Sequence, residues 1–144
     1  MERLDSKARA HPDPDMYGAY DQVEYTIGFG FVTCQTYPTA VISQSKVKPK
    51  KALTLGPMHR DGRTYVQLIN AAANYWKHSP EWRLDALTPR QEETKEYFDT
   101  LKVNIHDPYP TVNFLHQLLT PHPERFAKLR PWLTQWRDEL LKER

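Results

Sequence analysis

Asn70, Asn74 and His78 recur at i, i+4 and i+8, which places all three on one stripe of a helix. Two primary amides and an imidazole there offer donors and acceptors to a ligand, a base edge or a partner's backbone. Lys77 stands beside them, and Arg60 and Arg63 lie just upstream with charge suited to a phosphate. Trp82, followed by Arg83, comes just past the end of the same helix. Trp and Arg are common anchors of protein interfaces. Asn70, Asn74, Lys77, His78, Arg60, Arg63 and Trp82 are therefore the candidate binding set. A competing reading has the asparagines buried and hydrogen-bonded to an adjacent connector, with His78 gaining from the dipole at the helix C-terminus. Helix propensity alone does not call for two asparagines there; the stripe is the chain's best candidate for a polar recognition surface, and the buried reading stands beside it.

No catalytic set accompanies it, and no catalytic residue is nominated. His59-Arg60-Asp61 and His106-Asp107 fall in loops. A neighbouring Asp can tune a His base, but no nucleophile is spaced to use either pair. Ser43, Ser45 and Ser79 lie in no nucleophile elbow. The spacings His-x-x-x-His and Glu-x-x-His are missing from recognisable helices, so no metal is expected. Cys34 is the single cysteine, which excludes an internal disulfide and a Cys-x-x-Cys zinc pair. It reads as a small buried hydrophobe. No glycine-rich phosphate loop is present, and no cofactor is expected.

The elements that must position these residues are helical. Tyr65, Leu68, Ile69, Ala72, Tyr75 and Trp76 form one broad apolar face over 62–78, closed by Ser79-Pro80. Thr88-Pro89-Arg90-Gln91 spells an N-cap, a proline at N1 and a glutamine at N3. That helix runs to about Leu101, with Tyr97, Phe98 and Leu101 facing inward. Pro110 opens a short helix carrying Val112, Leu115 and Leu119. Phe126, Leu129, Leu133, Trp136 and Leu140 are spaced 3, 4, 3 and 4, a heptad-like seam. Pro131 interrupts it, as a kink or as the first turn of a separate helix. Trp76, Trp132 and Trp136 read as core anchors.

The segment 20–36 is ambiguous. Val23, Tyr25, Ile27, Phe29 and Phe31 alternate like a strand. Tyr20, Val23, Ile27, Phe31 and Cys34 also follow a helix face. Gly28 and Gly30 would each cost a helix about 1 kcal/mol. No partner strand appears later, so a helix is expected, with α+β and a strand or hairpin at 20–36 as the alternative. Asp21, Gln22, Glu24 and Gln35 should then lie mostly off the apolar stripe, and Pro38 should kink or end the helix. Residues 46–51 read as a basic, solvated connector. Residues 1–15 read as a flexible arm, and 16–144 as a single helical domain. The expected fold is thus all-α, about five helices joined by proline-rich turns.

Asn74-Tyr75-Trp76-Lys77-His78 resembles the second half of the motif of the HEPN superfamily. These are small all-helical proteins, many of them ribonucleases in bacterial toxin–antitoxin and phage-defence systems. The family motif sets an Arg before the polar residue and a His a few residues on. Here Ala73 stands where the Arg would be. The resemblance covers about six residues. Without the cation that supports charge on the reacting phosphate, it implies a degenerate, non-catalytic relative.

The chain has 144 residues and a formal charge of +2, too balanced for a dedicated nucleic-acid binder. No apolar run approaches the ~20 residues of a membrane span. Met1 to Lys7 lack the apolar stretch of a signal peptide, so a cytoplasmic address and no membrane partner are expected. The functional expectation is a non-enzymatic helical protein that binds a macromolecule. An antitoxin, an immunity protein or a defence-complex subunit would fit, with a protein partner or self-association. The alternative is an RNA-binding or RNA-cleaving HEPN-like protein.

Overall fold

The computed structural model describes residues 18–122 and 125–143. Within them the chain forms six α-helices and two 3-10 turns, and no strand. The helices are α1 (Ala19–Ser43), α2 (Pro49–Ala52), α3 (Tyr65–His78), α4 (Pro89–Thr100), α5 (Pro110–Leu119) and α6 (Leu129–Lys142). The 3-10 turns are Ser79–Glu81 and Phe126–Lys128. The expected all-α fold is what the chain adopts. The arm expected at 1–15 lies outside the described residues.

The centre of the domain is α3, which packs against α1, α4, α5 and α6. Leu68, Ile69, Ala72 and Ala73 are wholly buried, and Ala71 nearly so. The run of alanines is what lets four helices approach one axis. Thr64 starts the helix with a capping box: its hydroxyl accepts from the Gln67 N–H, and the Gln67 side chain accepts from the Thr64 N–H. Thr88 and Gln91 do the same for α4, as their spacing announces. Pro131 sits in the first turn of α6, where a missing N–H costs nothing. Leu129, Leu133, Trp136 and Leu140 of the seam are buried.

Residues 20–36 are helical, and three findings explain the ambiguity of their sequence. First, Val23, Ile27 and Phe31 face the core, whereas Tyr25 and Phe29 are 70% and 64% exposed. Two apolar helix faces superimposed read as strand-like alternation. Second, the two glycines are contact points. A Cβ on Gly28 would land inside the Trp76 indole, and one on Gly30 would lie 2.6 Å from the Phe126 ring. Third, of the two outcomes expected at Pro38, ending the helix does not occur; α1 continues to Ser43. Its ring is buried, and Thr39 Oγ1 donates to Gln35 O, 2.8 Å away.

Of the polar positions expected mostly off the apolar stripe, Glu24 is half-buried and Gln35 is buried. The Glu24 carboxylate accepts the N–H groups of Thr111 and Val112, both at 2.9 Å. It thereby caps α5, whose own N-cap residue Tyr109 supplies no side-chain cap. A carboxylate at a helix N-terminus also gains from the dipole. The connector 46–51 is not wholly a loop, since Pro49–Ala52 makes one helical turn. Lys51 pairs there with Glu143, and the buried Trp136 Nε1 donates to Ala52 O at 2.8 Å.

Candidate functional site

A ladder of rings crosses the core and ends at the candidate site. Phe126 meets Phe31 at 5.2 Å, Phe31 meets Phe114 at 5.7 Å, and Phe114 meets Phe98 at 4.5 Å. Phe98 meets Tyr75 at 4.7 Å, and Tyr75 meets Trp82 edge-on at 5.1 Å. Trp82 is half-buried. The core therefore holds the ring that the sequence places beyond the helix end, and leaves one side of it open.

The stripe Asn70, Asn74 and His78 divides into two parts. Gln35 on α1 donates through Nε2 to Asn70 Oδ1 at 2.6 Å and to Asn74 Oδ1 at 3.0 Å. Lys77 Nζ donates to Gln35 Oε1 at 2.8 Å. Gln35 is 8% exposed, so its amide is satisfied only by this set. Among the described residues no buried side-chain N or O lacks a partner. The two asparagines and Lys77 thus clasp α1 to α3 and fix their register, since a shift of either helix would orphan Gln35. Gln35 was not in the candidate set. A lone glutamine in an apolar stretch was the available signal.

His78 is outside the clasp. Its Nδ1 lies 3.7 Å from Glu81 Oε2, and its side chain is 50% exposed. It borders a groove of about 240 Å³ between the end of α3 and the start of α4. Asn74, His78 and Trp82 form one wall, and Thr88, Arg90 and Gln91 the other. Thr88 and Gln91 are held by their capping box, so that wall is preorganised. Arg90 is exposed and unpaired among the described residues. The sequence marked Arg90 only as the second position of α4, not as a site residue.

The other two candidate arginines do not join. Arg60 Nη2 donates to Gln117 Oε1 at 3.3 Å on α5. The Arg63 guanidinium lies 5.0 Å over the Tyr97 ring. Seven candidates chosen together thus fall into a clasp, a groove wall and two separate surface contacts.

The reactive side chains elsewhere are quiescent. Burial pushes the Cys34 thiol up to about 11, so it carries no thiolate near neutral pH. Burial likewise pushes the Tyr75 hydroxyl up to about 12, with Glu24 adding to it. His59 is 4% exposed, and that burial holds its pKa below the usual value despite Asp61 Oδ2 at 2.7 Å from Nδ1. Its ring packs edge-on against Tyr65, which stacks on Trp132 at 3.6 Å. His59 is therefore enclosed by packing. Among the described residues no group of three or more His, Cys, Asp or Glu could hold a metal, and no helix is long and apolar enough to cross a membrane.

The division of the stripe has a measurable consequence. Asn74→Ala should cost about 1 kcal/mol in urea unfolding, because Gln35 Nε2 then keeps only Asn70. His78→Ala should stay within about 0.5 kcal/mol of the parent, as exposed substitutions do. Equal losses in the two variants would contradict the assignment.

Compared with protein-family models, with curated proteins and with solved structures, the chain finds no match in any of the three.

Proposed function

We propose that this chain is a non-enzymatic helical protein that acts by holding a macromolecular partner, of the antitoxin, immunity or defence-complex kind, at the α3–α4 groove. The observation that carries the reading is the convergence there of Asn74, His78 and Trp82 with Arg90, which is unpaired among the described residues. At about 240 Å³ the groove is smaller than the roughly 300–1,000 Å³ that enclose small-molecule ligands. It suits one inserted side chain of a larger partner, gripped by an aromatic wall and a polar rim.

The chemistry of the site supports binding over turnover. Asn74 is already committed to Gln35, and His78 has only a distant carboxylate beside it. Ala73, which stands at the position of the HEPN arginine, is wholly buried. A HEPN-like relative that has kept binding and lost cleavage is compatible with that.

Capture by the tagged full chain, run beside the His78→Ala/Trp82→Ala double variant, tests the reading. The expected result is a protein retained by the parent and lost by the variant, with the variant's helical circular dichroism intact. Copurified RNA lost in the same variant would instead support the RNA-binding alternative, for which Arg90 beside Trp82 is suitably placed. Equal capture by both chains would remove the groove from the account.

A further inference from the structure

The outer face of α1 is a feature that the groove leaves unused. From Tyr25 to Ser45 the chain contains no Asp, Glu, Lys or Arg. Tyr25, Phe29, Val32, Thr36, Thr39 and Ser43 follow one another at intervals of 4, 3, 4, 3 and 4. That is the spacing of a two-helix seam. Val32 is half-buried and the other five are exposed. Val23, Ile27 and Phe31 face the core instead; of the seam residues, Tyr25 touches α3 edge-on at Trp76, 5.0 Å away, and Val32 rests partly on the core.

The polar members of this seam are prepared for burial. Thr36 Oγ1 donates to Thr33 O at 2.6 Å, Thr39 Oγ1 to Gln35 O at 2.8 Å, and Ser43 Oγ to Ala40 O at 2.8 Å. Each of these three hydroxyl hydrogens is spent within α1, so covering them orphans no donor. A surface helix normally carries charge on its outer face; here that face has none.

We infer that this seam is an interface between two copies of this chain, α1 against α1 about a twofold axis. Charge is the argument for that occupant. A neutral face offers no complementarity to a strongly acidic or basic partner, yet meets its own copy without like-charge repulsion. Heptad spacing is self-complementary, which is what an isologous contact requires. The 25 residues of α1 extend about 37 Å, long enough for a continuous pairing.

Size sets the strength. A standard interface buries roughly 800 Å² per partner. Tyr25 and Phe29 are 70% and 64% exposed, and large rings bury about 150–250 Å² when fully covered. The two rings thus bring on the order of 250 Å², and small side chains must supply the rest. The dimer is therefore reversible and concentration-dependent. The seam shares no residue with the α3–α4 groove, so it stands or falls separately from the function proposed above.

Sedimentation equilibrium of the full chain tests it. The parent should rise in mass with concentration, from 17.0 kDa toward twice that value. Thr36 lies near the middle of the seam, where the two copies meet whichever way the helices run. Thr36→Glu should weaken the association by about a hundredfold or more, because it sets two carboxylates against each other. Phe29→Glu, at an exposed site nearer one end, should weaken it in the same direction. Both variants should keep the parent's helical circular dichroism. A parent that stays at 17.0 kDa up to about millimolar concentration, where only contacts worth some 4 kcal/mol would register, overturns the inference. Association that survives both substitutions overturns it too, since another face must then be responsible.

Discussion

Trp136→Ala is expected to destabilise the protein by about 3–5 kcal/mol. Trp136 is 1% exposed and among the largest wholly enclosed side chains. Its removal opens a cavity between α6, the turn at Gly56 and Tyr37, whose ring lies 6.5 Å away. It also strips Ala52 O of the indole N–H that reaches it at 2.8 Å. A domain stabilised by about 5–15 kcal/mol would then be close to unfolding. Trp136→Phe separates the two contributions: most of the volume stays and the hydrogen bond goes, at about 1–3 kcal/mol. Urea unfolding monitored by circular dichroism checks both. A loss below about 1 kcal/mol for the alanine variant would place Trp136 outside the core.

Gly28→Ala should destabilise by about 3 kcal/mol, although the same change in an ordinary exposed helix stabilises by about 1 kcal/mol. The sign reverses because the new Cβ falls within the Trp76 indole. Trp76 has little freedom to withdraw, since Tyr25 closes on it edge-on at 5.0 Å. Moving the indole would pry α1 from α3, the pair joined also by the Gln35 clasp. A shallow compensation is available in Gly28→Ala with Trp76→Leu, which should recover part of the loss. Thermal unfolding of the single and double variants measures the coupling. A more stable single variant would show that the Gly28–Trp76 contact is not close.

The helices and their starts were legible because local chemistry decides them. Thr64 and Thr88 each precede a glutamine at N3, and both boxes form. The seam from Leu129 to Leu140 is buried as its spacing demands. The segment 20–36 was less legible, because apolar residues on two faces of one helix imitate the period of a strand. Glycine looked like a breaker there, since its use lies in the indole that rests on it, and only tertiary packing reveals that. Pro38 stays inside α1 for a related reason: a packed ring can hold a helix together past a missing hydrogen bond.

The candidate site was legible in composition and not in connection. Asn70, Asn74 and His78 share a stripe, as their spacing requires, but the partner that divides them is 35 or more residues away. No local pattern connects Gln35 to them. Arg60 and Arg63 were near in sequence and are drawn instead to Gln117 and Tyr97. Arg90 reached the groove through the fold alone.

The central claim is that a partner seats itself between the end of α3 and the start of α4. Amide hydrogen exchange of the full chain, free and in the complex recovered by capture, measures that contact most directly. The account predicts added protection from Asn74 through Trp82 and from Thr88 through Thr94, with the rates of Pro49–Gly56 unchanged. Protection confined to other surfaces, with 74–94 exchanging as in the free chain, would contradict it.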